Sequence, residues 1–414
     1  MKRLHGKHIL LGISGGIAAY KSAELTRRLK QAGAEIRVVM TKAATEFVTP
    51  LTFQALSGNP VHTELLDEEA EAGMGHIELA RWADAILIAP ASANTIAKLA
   101  QGKADDLLTT LCLATRAPIA IAPAMNNVMW SDLATQSNCK SLSKNGYRLF
   151  GPDNGELACG ETGEGRMMDV TQLLDKLAGL FDSGRLQALN VVITAGPTYE
   201  PLDPVRFIGN RSSGKMGFAI AQAASEAGAS VTLISGPCNL ETPERVTRID
   251  IETANDMHDA VKNTVTTCDI FIGSAAVADY RPATVFDQKI KKHQSITNIE
   301  MVRNEDILAW VANQESRPFV VGFAAETENL EKNARSKLEK KNLDMIAANL
   351  VGNNSDDKQD IGFHSDYNAL DIFWDNGHVT LEKARKTIIA EQLIQHIAEH
   401  FKSYKAVNST KYSA

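Results

Sequence analysis

The chain of 414 residues predicts an α/β protein built from two successive open, mostly parallel sheets. Three observations predict it. Apolar, β-rich runs alternate with amphipathic helical stretches that end at Ala-Gly. That alternation starts twice, once over residues 8–40 and again over residues 190–235. The length exceeds one ordinary core and fits two domains of roughly 200 residues each.

The first opening is the strand HILLGI, a turn of Ser14, Gly15 and Gly16, the helix AAYKSAELTRRLKQAG and the strand EIRVVM; AILIAP and APIAIAP supply two more strands. In a parallel sheet the turns after these strands fall on one edge. Ser14–Gly16, Thr41 and Lys42, Ala91–Thr95 and Ala124–Asn127 therefore line one crevice. The stretch GPDNGELACGETGEGRMMDV, residues 151–170, has neither period and reads as a structureless binding loop or lid. TQLLDKLAGLFDSGRL closes the first domain, giving domains of 1–190 and 191–414. The second half repeats the pattern with NVVITA, SVTLIS, DIFIGSAA, FVVGFAAE and DMIAAN. Residues 285–297, which contain KIKK, form a charged excursion, and the segment from Ser403 reads as a frayed polar tail.

Composition narrows the function. A formal net charge of −7 and the lack of a long basic run argue against nucleic acid as a partner. No apolar stretch approaches a membrane span, and the basic amino terminus reads as the approach to the first core strand rather than a leader. Cys112, Cys139, Cys159, Cys238 and Cys268 are odd in number and contain no C-x-x-C pair, which disfavours a disulfide framework or a zinc site and suits a reduced cytoplasm.

The first turn, GISGGI, lacks the dinucleotide G-x-G-x-x-G spacing, and no acidic residue closes the second strand, so a nicotinamide dehydrogenase is disfavoured. Hydroxyl and amide groups at Ser14, Thr41, Ser92 and Asn94, with the exposed backbone around Gly15, instead suit a mononucleotide phosphate, and FMN is the candidate cofactor. Gly209–Lys215 satisfies G-x-x-x-x-G-K, but Met216 replaces the magnesium-holding Ser or Thr, so the P-loop reading is rejected. By pattern alone, His76 reads equally as a helix-start residue or an acid–base group, and Asn126 as a turn residue or a carboxylate ligand. Cys159 lies in the glycine-rich stretch, where a mostly protonated thiol suits a proton donor. Lys289 reads as a solvated charge and Asp279 as a cap unless a ligand is nearby.

Longer motifs carry a resemblance. PASANTIAKLAQGKADDLLTTLCLAT, PAMNNVMW and ACGETGEGRM resemble the flavin-dependent phosphopantothenoylcysteine decarboxylases. ITAGPTYEPLDPVRFIGNRSSGKMGFAIA, AAVADYRP and KIKK resemble the phosphopantothenate-cysteine ligases, and the order along nearly the whole chain is that of the fused bacterial family of coenzyme A biosynthesis. The resemblance implies two Rossmann-like sheets, one in a flavodoxin-like flavin-binding decarboxylase domain and one in a ligase domain. It implies ligation of L-cysteine to 4′-phosphopantothenate with CTP through an acyl-cytidylate, with Mg2+ assisting. Decarboxylation to 4′-phosphopantetheine would follow, with FMN oxidising the thiol to a thioaldehyde, CO2 leaving, and hydride returning to the ene-thiol.

By the same resemblance His76 assists deprotonation, Asn126 holds the carboxylate and Cys159 protonates the ene-thiol. Lys289 stabilises the transition state of cytidylyl transfer, Asn210 holds the acyl intermediate, and Ala275, Asp279, Phe323, Lys337 and Lys341 complete the CTP site. The departures are Tyr199 in place of Arg, and Gly209 and Arg211 in place of Ser and His beside Asn210. Trimeric decarboxylase contacts and dimeric ligase contacts, combining into a dodecamer, are also implied. A flavin-binding regulatory module and a peptidyl-cysteine decarboxylase fused to a nucleotide-dependent ligase are the alternatives.

Overall fold

A computed structural model describes residues 4–65, 75–158, 160–291, 298–350 and 365–411. The chain divides into two compact units, Met1–Phe181 and Asp182–Ala414.

In the first unit, β1 (His8–Ile13), β2 (Glu35–Met40), β3 (Val61–His62), β4 (Ala85–Ala91), β5 (Ile119–Pro123) and β6 (Arg148–Leu149) form one sheet in the order β3-β2-β1-β4-β5-β6. Every pairing is parallel. Because successive side chains point to opposite faces of a strand, the sheet divides its apolar residues between two cores. Ile9, Leu11, Ile13, Leu87 and Ala89 join Leu25, Leu29, Leu173 and Leu177 of the helices Lys21–Gln31 and Val170–Ala178 on one face. Leu10, Ile86 and Ile88 join Leu108 and Leu111 of the helix Leu107–Ala114 on the other.

The stretch 151–170 corrects the sequence expectation of a structureless loop. It forms an antiparallel ribbon of β7 (Asp153–Glu156) and β8 (Thr162–Arg166). Its composition hides it, since glycine and acid residues carry no strand period, and the ribbon is fixed by its surroundings rather than by propensity. The Met125 N–H donates to the Gly165 carbonyl at 2.9 Å.

The second unit carries β9 (Asn190–Ala195), a ribbon of β10 (Tyr199–Pro201) and β11 (Phe207–Gly209), then β12 (Ser230–Ser235), β13 (Val246–Asp250) and β14 (Ile270–Gly273). Beyond these come a second ribbon, β15 (Tyr280–Pro282) with β16 (Met301–Arg303), and β17 (Phe319–Glu326), β18 (Met345–Leu350), β19 (Tyr367–Trp374) and β20 (Gly377–Arg385). The main sheet runs β13-β12-β9-β14-β17-β18-β19-β20. It is parallel up to β18, after which β19 and β20 add an antiparallel edge. Mostly parallel open sheets are therefore the fold class of both units, as the sequence reads.

The helix Lys386–Lys411 corrects the expectation of a frayed tail from Ser403. Tyr404 stacks edge-on to Phe319 at 5.4 Å between centroids and its hydroxyl donates to the Arg317 carbonyl at 3.3 Å, which fastens the last turns to the sheet. Among the described residues no helix is long and apolar enough to cross a membrane.

Candidate active sites

At the carboxyl edge of the first sheet lies a cavity of about 640 Å³, lined by Gly15, Gly16, Lys21, Ser92, Asn126 and Arg166 among others. That volume is within the range of organic cofactor pockets. Buried Ser14 ties the turns of β1 and β4 together, because its hydroxyl donates to the Pro90 carbonyl and accepts the Ser92 N–H, each at 2.8 Å. The Ser92 hydroxyl accepts the Thr95 N–H at 3.3 Å and caps the helix Ala93–Ala100. Thr41 likewise caps Lys42–Thr45.

The structure thus brings Gly15, Ser92 and Asn126 to the cavity, whereas Ser14, Thr41, Asn94 and His76 are not among the described residues lining it. His76 opens the helix His76–Trp82, and its buried Nδ1 has no hydrogen-bond partner among the described residues. Cys159 lies outside the described residues.

Two cations at the cavity escape the sequence reading. Burial, and next the Arg166 guanidinium, hold the Lys21 ammonium below the usual lysine range. Paired cations beside backbone N–H groups at helix starts fit the phosphate of a flavin mononucleotide. Asn126 caps the helix Asn127–Ser131: its Oδ1 accepts the Val128 N–H at 2.8 Å while its Nδ2 donates to Glu161 Oε2 at 2.9 Å. Burial pushes the thiols of Cys112 and Cys268 up to about 12, consistent with inert packing.

The second unit holds two cavities that share Ala275 and Phe323. One, of about 170 Å³, is lined by Asp279, Asn304, Asp306 and Lys341. The other, of about 360 Å³, takes Asn210–Gly217 and reaches Asn349, Asn368 and Lys386. Lys341 pairs with Asp306 at 2.8 Å. Burial alone would raise that carboxyl, but Lys341 and the Ala309 N–H outweigh it and hold it below its ordinary range. Lys337 pairs with Glu326 at 2.7 Å, and neither Lys337 nor exposed Lys289 is among the described residues lining these cavities. The segment after Lys289 is nonetheless anchored, since the Ile290 N–H donates to Asp203 at 3.0 Å and Arg206 donates to the Ile290 carbonyl at 2.9 Å. The Arg206 guanidinium in turn holds the Asp203 carboxyl well below the usual range.

Asn210 is fixed by donating from Nδ2 to the Ala276 and Val277 carbonyls, both at 3.1 Å. Beside it, Tyr199 and Gly209, two of the residues read from the sequence as departures, fit one another. Tyr199 pairs with Gly209 across the β10–β11 ribbon and stacks on Phe207 with centroids 3.9 Å apart. A Cβ on residue 209 would stand 2.7 Å from the tyrosine ring, so the bulky Tyr199 requires glycine opposite. Arg211 lines the larger cavity.

Lys386, only 6 % exposed, extends an ammonium to the Ser365 carbonyl at 2.6 Å, while Lys215 pairs with Asp366 at 2.6 Å. Burial and then the Lys215 charge pull Lys386 down to about 8. Lys215 also starts the helix Lys215–Glu226, so two cations and a helix N-terminus converge on one cavity, an arrangement suited to phosphoryl oxygens. Lys215 stands in the rejected G-x-x-x-x-G-K match, whereas Lys386 is brought there only by the fold.

Two α/β units with anion-suited cavities at their sheet edges define a two-domain, flavoprotein-type enzyme, and family comparison agrees: residues 1–182 match the Flavoprotein family and residues 186–401 the DNA/pantothenate metabolism flavoprotein C-terminal domain. The chain belongs to the family of coenzyme A biosynthesis bifunctional proteins. It is 56 % identical to "Coenzyme A biosynthesis bifunctional protein CoaBC" of Vibrio cholerae, over 96 % of this chain and 100 % of that protein. The Vibrio vulnificus relative of the same name is 54 % identical over 96 % of this chain and 98 % of its own length. That of Escherichia coli is 52 % identical over the same shares, 96 % and 98 %.

Proposed function

We propose that the chain catalyses two consecutive steps of coenzyme A biosynthesis: CTP-dependent ligation of L-cysteine to 4′-phosphopantothenate, then FMN-dependent decarboxylation of the phosphopantothenoylcysteine formed. The observation that carries the reading is a pair of separate cationic sites, one on each sheet edge, in a chain related over 96 % of its length to bifunctional proteins of that pathway. The decarboxylase reading falls on the first unit and the ligase reading on the second.

In the first site, Lys21 and Arg166 bind the flavin phosphate, with Ser14, Gly15, Thr41, Ser92 and Asn94 shaping the turns around it. FMN supplies the electron sink that a cysteinyl carboxylate lacks. Asn126 directs a carboxamide at the substrate carboxylate, His76 takes the thiol proton, and Cys159 returns a proton to the product carbon.

In the second site, Ala275, Asp279, Phe323 and Lys341 hold the nucleoside in the smaller cavity, and Lys337 completes the CTP site. Lys215 and Lys386 face phosphoryl oxygens in the larger one. Asn210 secures the acyl group at the junction, and Lys289 balances charge on the transferring phosphorus. Mg2+ enters on the triphosphate. Exposed Leu51, Val128 and Leu133 on the first unit and Val205, Phe207 and Phe286 on the second support a homo-oligomer, in which trimeric decarboxylase and dimeric ligase contacts build a dodecamer. A cytoplasmic location follows from the substrates.

The test incubates flavin-loaded protein with 4′-phosphopantothenate, L-cysteine, Mg2+ and each nucleoside triphosphate in turn, following pyrophosphate and CO2. Both products are expected with CTP. Pyrophosphate without CO2 would reduce the first unit to a flavin-binding module, and neither product would overturn the whole reading.

A further inference from the structure

We propose that Thr198 is a positioning residue for the ligation: its hydroxyl fixes the segment that carries Ala275 and Asp279 to the nucleotide, and so sets the affinity for CTP. The proposal rests on the ligase reading above. Residues 274–279 run between β14 and β15 without a ladder and make one parallel bridge, Ala276 to Pro197. Such a segment must find partners for its buried backbone groups elsewhere. It also walls both cavities of the second unit: Ala275, Val277, Ala278 and Asp279 line the smaller one, and Ser274, Ala275 and Ala276 the larger.

The two halves of the segment are held differently. Beside the larger cavity, the Ala276 N–H donates to the Gly196 carbonyl at 2.9 Å, and Asn210 donates to the Ala276 and Val277 carbonyls. Beside the smaller one, the Ala278 N–H donates to the Thr198 hydroxyl at 2.9 Å, and both residues are buried. Among the described residues Thr198 is the only acceptor for that N–H. Asn304 holds the opposite side, donating from Nδ2 to the Ala278 carbonyl at 2.8 Å and from its backbone N–H to the Asp279 carbonyl at 2.9 Å. Because Asn304 lines the same cavity, its bonds tie two walls to each other. Thr198 instead ties them to a fixed post: its loop follows β9, and the adjacent Tyr199 N–H donates to the Glu252 carbonyl at 2.8 Å. Loss of the hydroxyl leaves a buried N–H unsatisfied, and the segment relieves that cost by shifting toward the cavity.

The experiment compares full-length, flavin-loaded wild type with Thr198→Val, which keeps the shape and loses the acceptor, and with Thr198→Ser, which keeps the acceptor. Thr198→Ala also loses the acceptor and carries the same contrast if valine prevents folding. Pyrophosphate release gives kcat and the KM values for CTP and for 4′-phosphopantothenate, with Mg2+ and L-cysteine saturating. The valine and alanine variants are expected to raise KM for CTP about tenfold, the scale of one buried hydrogen bond lost. Their KM for 4′-phosphopantothenate should stay within about twofold, since Asn210 still holds the other half, and Thr198→Ser should stay within about twofold in both constants. A merely structural hydroxyl would lower kcat as the folded fraction falls and leave both constants alone. That result, equal damage in Thr198→Ser, or both constants rising together would each overturn the proposal. A wild type that releases no pyrophosphate with CTP would instead remove the ligase reading, and the positioning role with it.

Discussion

Lys386 is cationic in the free protein below a pH of about 8 and neutral above it, because burial and Lys215 oppose its charge. Its contribution to phosphoryl binding is therefore present at neutral pH and lost as pH rises through about 8. The same depression reverses the usual stability trend: between that value and the ordinary lysine range the unfolded chain binds more protons, so this group's contribution to stability increases with pH. Since kcat/KM reports ionisations of the free enzyme, kcat/KM for CTP-dependent pyrophosphate release should fall on an alkaline limb near 8. Lys386→Met should lower the neutral plateau by about tenfold and abolish that limb. An unaltered limb in the variant would assign it to another group. At this scale legibility is uneven. Asn126 and Ala275 are readable because each follows a strand at the edge where open sheets place ligands, whereas Asn210 is marked only by the longer motif that contains it. Lys386 is not, since a lone lysine between a strand and a helix gives no signal until the fold carries it to Lys215.

Elements are legible where burial imposes a period. Strands covered on both faces, such as AILIAP, stand out as continuous apolar runs. The β7–β8 ribbon does not, because glycines hold its close contacts. Gly165 adopts φ +136°, and a Cβ there would run into the Met125 carbonyl oxygen. The β19–β20 hairpin does leave a signal, the β-prone run YNALDIFW followed by Asp375-Asn376-Gly377, a sequence that favours a two-residue turn. The ribbon's tight seat gives an element-level expectation. Gly165→Ala should destabilise the first unit by about 1–3 kcal/mol through backbone strain and overpacking. Flavin retention and CO2 release should fall while pyrophosphate release from the same sample is preserved. Full flavin content and CO2 release in the variant would show that strand β8 is not a wall of the site.

Among the described residues, each buried apolar cluster lies within one unit. The clusters around Leu11 and Leu10 draw only on the first unit, and those around Ile193 and Val192 only on the second. Such a chain is expected to unfold in two calorimetric steps rather than one, since cooperativity follows the shared core. Ligands that bind one folded unit stabilise that unit alone, by about 2.7 kcal/mol at a hundredfold excess over Kd. For units of this size that corresponds to a shift of roughly 5–10 °C in the affected transition. Stripping FMN should lower one transition and leave the other in place, whereas CTP with Mg2+ should raise only the second. If both ligands moved a single transition, the two cores would be coupled through contacts beyond those that define each unit. The double start of the sequence would then describe its architecture but not its energetics.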